Sequence, residues 1–139
     1  MSTVRPERTG WRDQGLSERH RRWGFDCPAL DLDFVMLEYD RGEPTALVEY
    51  KHERAEPQYA SHPSYRALSK LGARADIPVF AARYKDDFSE FLVVPLNDAA
   101  KRSLPERKAM TELEWIGFLH RLRGYDLPSN IAELYAVTV

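Results

Sequence analysis

Asp33, Glu49 and Lys51 are the residues whose types and spacing could do chemistry. They lie in the stretch DLDFVMLEYDRGEPTALVEYK, residues 31–51, where two apolar runs flank Asp40, Arg41, Gly42 and Glu43. Turn residues between two strand-like runs predict a β-hairpin. Side chains alternate along a strand, so Glu49 and Lys51 share one face while Tyr50 takes the other. A three-residue connection, with Gly42 supplying the positive φ of a bulged turn, sets Asp33 directly across from Lys51 and diagonally from Glu49. One face then holds two carboxylates and an amine. Like charges this close repel, and a divalent cation with oxygen ligands is the natural remedy, with Lys51 offsetting part of the remaining charge.

The elements that must position these groups follow from pattern. Val35, Leu37 and Leu47 share the face of the acids, and Leu32, Phe34, Met36, Ala46, Val48 and Tyr50 take the opposite face. Strands apolar on both sides are expected to be central and covered. Before them, Ser17 caps a short helix through Trp23, stopped by Gly24, and residues 25–30 are extended. After Lys51 a polar loop, residues 52–60, leads to a helix capped by Ser61 or His62, with Pro63 in its first turn. Tyr65, Leu68, Leu71 and Ala75 recur at helical spacing as its buried face, and Tyr65 is close enough to the strand ends to face the acids. Strands follow over residues 77–84 and 88–96, the second closing on Pro95 as suits a sheet edge. Residues 97–108 read as an exposed basic connection. Thr111 and Glu114 form a capping box, Met110 and Trp115 a hydrophobic staple, and Gly124 ends a helix packed through Trp115, Phe118, Leu119 and Leu122. Residues 125–139 should dock on the domain or on a second subunit.

An aspartate early in one strand and Glu-x-Lys at the end of its hairpin partner resembles the active-site motif of the PD-(D/E)XK nuclease superfamily, whose members include Holliday-junction resolvases. The resemblance covers residues 17–96 and implies a restriction-endonuclease-like mixed sheet flanked by helices, in the core order αβββαβ. It implies Asp33 and Glu49 as metal-binding carboxylates, the main-chain carbonyl of Tyr50 as a further ligand, and Lys51 as the catalytic lysine. Leu32 stands where the family has proline. Asp31 has the same strand parity as Asp33 and is its rival, and Glu18 is the carboxylate the first helix could add. A second Glu-x-Lys, Glu106 to Lys108, follows Pro105 in a polar stretch with no apolar run before it, so the hairpin context singles out the first copy. The alternative is that the three charges form an ordinary surface salt bridge. His52 and Gln58 flank the motif, His52 more often structural than chemical in such a place.

The implied activity is Mg²⁺- or Mn²⁺-dependent hydrolysis of phosphodiester bonds in nucleic acid, with DNA the expected partner. A non-cleaving nucleic-acid-binding or protein-interaction module on the same fold is the alternative. Arg19 and Arg22 on the first helix, and Arg66, Lys70 and Arg74, recurring every fourth residue on the second, are the candidate phosphate contacts.

Composition bounds these readings. With 139 residues the chain has room for a flexible basic arm over residues 1–15 and one domain over 16–139, burying roughly two thirds of its unfolded surface. A net charge of −2 argues against a protein that coats nucleic acid through bulk electrostatics, while allowing a nucleic-acid partner. The single cysteine, Cys27, excludes an internal disulfide framework and a zinc cluster. No apolar run approaches the roughly 20 residues of a membrane span and no signal-peptide core is visible, so a cytoplasmic location is expected. A domain of this size reads nucleic-acid structure or works as a homodimer that presents two sites to two strands.

Overall fold

A computed structural model describes residues 14–23, 32–57, 59 and 61–136. The chain divides into two units, residues 1–31 and 32–139. Of the first, the described element is helix α1, Gln14–Arg22. It begins ahead of Ser17, so that residue lies inside the helix rather than at its cap. The extended segment expected over 25–30, with Cys27, lies outside the described residues.

The second unit runs β1 (Phe34–Glu38), β2 (Glu43–His52), α2 (Pro63–Ala75), β3 (Val79–Tyr84), β4 (Phe91–Pro95), α3 (Asp98–Ser103), β5 (Lys108–Met110), α4 (Glu112–Leu122) and α5 (Ser129–Ala136). The five strands form a mixed sheet in sequential order, β2 and β3 parallel and the other neighbours antiparallel. It is an α/β fold with helices on both faces of the sheet. Ala46, Val48, Phe80, Ala82 and Val93 pack against Trp115 and Phe118 of α4, while Leu47 and Val79 pack against Leu68 of α2. Among the described residues two strands precede α2, where the αβββαβ order has three. No helix among the described residues is long and apolar enough to cross a membrane.

The hairpin forms where expected but in another register. Residues 39–42 make the turn, with the Gly42 N–H donating to the Tyr39 carbonyl at 3.1 Å and Gly42 at φ +64°. Met36 pairs with Ala46 but Leu37 with Pro44, so Thr45 is an extra residue bulging from β2. The four-residue turn and the bulge together shift the pairing by two residues from the expected register, which keeps Phe34, Val35 and Met36 on their expected faces because the strand period is two. Leu32, ahead of β1, instead packs with Leu47, Leu68 and Val79 on the α2 face rather than sharing the face of Phe34 and Met36. β2 is central. β1 is the edge of the sheet, with Val35 and Leu37 46% and 47% exposed, so its apolar pattern does not mark a covered strand.

α2 starts as its sequence dictates: Pro63 occupies the first turn and the His62 ring accepts the Ser64 N–H at 3.2 Å. Its buried stripe is Tyr65, Leu68 and Gly72, whereas Leu71 and Ala75 are exposed. Gly72 allows the close approach. A Cβ there would stand 2.9 Å from the Ile77 carbonyl and 2.8 Å from Asn97 Nδ2. Both atoms are fixed, since that Asn97 nitrogen donates to the Ile77 carbonyl at 2.9 Å and the Asn97 oxygen accepts from Val79 and Ala100. Gly72→Ala should therefore destabilise the domain by about 1–3 kcal/mol, the usual cost of overpacking, despite the better helix propensity of alanine. An unchanged urea midpoint would show that α2 can move away from β3.

The stretch read as an exposed connection is built: Asn97 caps α3 by accepting the Ala100 N–H, and Lys108–Met110 add the fifth strand. β4 is thus internal over Phe91–Val93, and Pro95 lies past the last β5 partner, where no ladder donor is required. Thr111 and Glu114 form the reciprocal capping box on α4, and Gly124 at φ +87° follows its end.

Candidate functional site

β2 positions the site. Its odd-numbered residues turn their backbone groups toward β3, as in the Leu47 N–H to Pro78 carbonyl bond of 2.9 Å and the Glu53 N–H to Tyr84 carbonyl bond of 2.8 Å. A strand residue directs its N–H and C=O to the same side, so the even-numbered residues face β1. The β1 ladder starts at Phe34 opposite Val48, which places Tyr50 beyond it. The Asp33 carboxylate takes over there, its Oδ2 accepting the Tyr50 N–H at 2.9 Å. The Tyr50 carbonyl is directed to that same edge. Carried one residue past the Phe34–Val48 pair, the register sets Asp33 across from Glu49 rather than Lys51.

On the same face the Lys51 ammonium stands 3.9 Å from Glu49 Oε1, at the outer limit of an ion pair. The Glu49 side chain is 11% exposed and that of Lys51 29%. α2 closes over them with the buried Tyr65. Burial, and then the charge of Glu49, push the Tyr65 phenol above its ordinary value of 10.0, with Arg83 pulling it down and Asp33 adding to the rise. The phenol therefore lies in the field of both carboxylates. Tyr50, on the other face, is raised by its burial, although Trp115 Nε1 donates to its hydroxyl at 3.0 Å and lowers it. Both phenols hold their protons in the folded state at pH values where the unfolded chain has lost them. Their stabilisation is complete below pH 10.0 and disappears as pH rises through the folded values. Alkaline melts of Tyr65→Phe should consequently fall less steeply than wild type above pH 10.0, and parallel curves would contradict the placement of Tyr65.

Arg83 pairs with Lys51 across β2 and β3 and fixes the loop that leaves the site. Its Nη1 donates to the carbonyls of His52, Glu53 and Ala55 at 3.3, 3.0 and 2.9 Å. His52 serves the same loop. Its Nδ1 accepts the Arg54 N–H at 3.1 Å, which leaves the proton on Nε2 for Asp86 Oδ1 at 2.9 Å. With both nitrogens engaged, the histidine is a structural residue. The sequence places Arg83 near the end of an expected strand, but its pairing with Lys51 depends on sheet register and its carbonyl bonds on how the loop folds back.

The remaining candidates are not gathered here. Glu18, Arg19 and Arg22 lie exposed on α1 in the other unit, where Arg19 donates to the Gly15 carbonyl at 3.3 Å. Asp31 and Gln58 lie outside the described residues. Arg66, Lys70 and Arg74 are exposed on the side of α2 turned away from its buried stripe.

The donors available to a cation are two carboxylates, Asp33 and Glu49, and the Tyr50 carbonyl. Among the described residues no three His, Cys, Asp or Glu side chains converge as a metal cluster. The set still fits Mg²⁺ or Mn²⁺, which take hard oxygen ligands; Mg²⁺ commonly uses only one or two carboxylates and fills its shell with water and phosphate oxygens. Asp33 keeps coordinating capacity because a carboxylate accepting one N–H retains its other oxygen. No family model, curated protein or solved structure matches the chain.

Proposed function

We propose that this protein is a metal-dependent nuclease that hydrolyses phosphodiester bonds in nucleic acid, with DNA the favoured substrate, and that its fold is of the restriction-endonuclease-like kind. The observation that carries the reading is the placement of Asp33, Glu49 and Lys51. Asp33 is fixed by the Tyr50 N–H across from Glu49, and Lys51 stands beside Glu49 on the same face of the central strand. That strand also leads through α2 into a parallel neighbour.

Asp33, Glu49 and the Tyr50 carbonyl would hold Mg²⁺ or Mn²⁺. Such an ion supplies charge to nonbridging phosphate oxygens and acidifies a water. Lys51 acts on the same centre from the protein side: its ammonium holds the attacking water in place or neutralises charge growing on the phosphorus oxygens. Arg83 keeps the strand exit rigid, so the lysine is positioned before substrate arrives. Arg66, Lys70 and Arg74, on the outward side of α2, would meet phosphates of the nucleic acid beyond the cleavage centre.

The test is incubation with labelled single-stranded, duplex, flap and four-way-junction DNA, and with RNA, in Mg²⁺, Mn²⁺ or EDTA. Cleavage of at least one substrate with metal, and none in EDTA, is expected. Binding without cleavage under every metal condition would replace the nuclease with a non-cleaving module. Sedimentation of the same preparation tests the homodimer that would present two sites to two strands.

A further inference from the structure

The α2 face of the sheet carries more than the three residues of the site. Glu49 pairs with Ala81, Ala81 with Val94, and Val93 with Lys108, which sets Arg107 in the same row at the end of β5. The next row is Lys51, Arg83, Leu92 and Ala109. Ala81 offers only a methyl group between larger neighbours, and the space it leaves under α2 is a pocket of about 190 Å³. Lys51, Tyr65, Arg83, Leu92, Val94 and Arg107 are among its walls.

The charges of this pocket are unbalanced. Three cationic side chains line it and no Asp or Glu is among its walls; Lys51 stands 3.9 Å from Glu49. Arg83 spends its Nη1 on carbonyls, and it has no carboxylate partner among the described residues. Arg107 is exposed and forms no hydrogen bond or ion pair among the described residues. Guanidinium groups suit phosphate because their planar fork matches its oxygens. Leu92 and Val94 offer the opposite chemistry, an apolar wall for carbon. The volume is below the roughly 300 Å³ at which pockets begin to take whole drug-sized molecules, so it suits a group rather than a complete nucleotide.

We propose that this pocket is a phosphate subsite beside the cleavage centre, which takes the phosphate and adjoining sugar carbons of the nucleotide next to the cleaved bond. The nature of the ligand rests on the phosphodiester reading above. Arg107 stands three strands from Glu49, about 14 Å at the usual strand spacing of about 4.8 Å, so the bound backbone runs across the strands and not along them. Arg107 selects the neighbouring phosphate and Lys51 faces both.

The test is calorimetric titration of the whole protein in EDTA with thymidine 5′-monophosphate, thymidine and orthophosphate as separate arms. The monophosphate should bind, orthophosphate should bind more weakly, and thymidine should not bind. Arg107→Ala should weaken the monophosphate about tenfold or more, since the lost bond is charge-assisted and the residue is exposed enough to be removed without harm to the fold. Ala81→Leu, checked by circular dichroism, should abolish binding by filling the pocket. Equal binding of thymidine, or unchanged affinity in Arg107→Ala, overturns the subsite. Equal affinity for orthophosphate overturns the role of the apolar wall. A protein that cleaves DNA yet binds no monophosphate loses the subsite and keeps the function. One that binds through Arg107 but never cleaves keeps the subsite and loses the function.

Discussion

Glu49→Gln is expected to lower metal-dependent cleavage by more than about 100-fold while leaving the fold intact. Outer-shell partners of metal ligands already cost about 10- to 100-fold when removed, and a direct ligand should exceed that range. Glutamine preserves the volume of a side chain that is 11% exposed and removes only its charge. Asp33→Asn is the cleaner companion, because the amide oxygen can still accept the Tyr50 N–H and the anchor of β1 to β2 survives. Both variants should lose Mn²⁺ affinity in a calorimetric titration. Lys51→Ala should behave differently, keeping the Mn²⁺ affinity and losing turnover by about 10²- to 10³-fold, the usual cost of one preorganised charge-stabilising donor. If Asp33→Asn cleaves as well as wild type, the metal is held elsewhere and the site assignment fails.

The parts of this arrangement that a sequence displays are those fixed by neighbours along the chain. The hairpin, the Pro63 start of α2 and the Thr111–Glu114 capping box all depend on residues within a few positions of one another, and all form. The shared face of Glu49 and Lys51 was legible for the same reason, since strand parity survives a two-residue slip. Register itself was not legible, because the Thr45 bulge is a matter of how β2 twists against β1. Nor was the buried stripe of α2. Leu71 is the more apolar residue, but it points to solvent because only glycine lets the helix come close to Ile77 and Asn97. α3 was missed because its cap, Asn97, is held by β3, through bonds to the Val79 N–H and the Ile77 carbonyl. The edge position of β1 likewise depends on which strands pair, and apolar composition carries no record of that.

Arg123→Ala is expected to have the largest effect on stability, about 3–5 kcal/mol, the cost of leaving a buried carboxylate without its partner. The carboxylate is that of Glu38, 2% exposed at the end of β1, and both Nε and Nη2 of Arg123 donate to its Oε2, at 2.9 and 2.7 Å. In sequence Glu38 is one charge interrupting an apolar run. In the fold it ties the hairpin to the end of α4, where Arg123 also donates to His120 Nδ1 at 3.1 Å and its carbonyl accepts from Arg41. Burial, and then the charge of Arg123, depress the pKa of His120 below its ordinary 6.5, which suits a ring accepting that hydrogen bond as a neutral base. The pair is asymmetric, because the Arg123 side chain is 31% exposed and can be hydrated when left alone. Glu38→Gln should therefore cost clearly less than Arg123→Ala, and the double variant Glu38→Met/Arg123→Met should recover most of the loss, since apolar replacement of a buried pair is often neutral. Urea unfolding of the four proteins at pH 7 measures these differences. Losses below about 1 kcal/mol in both single variants, the range of solvated ion pairs, would mean that water reaches Glu38 and that this pair does not hold the hairpin carrying Asp33 to the domain.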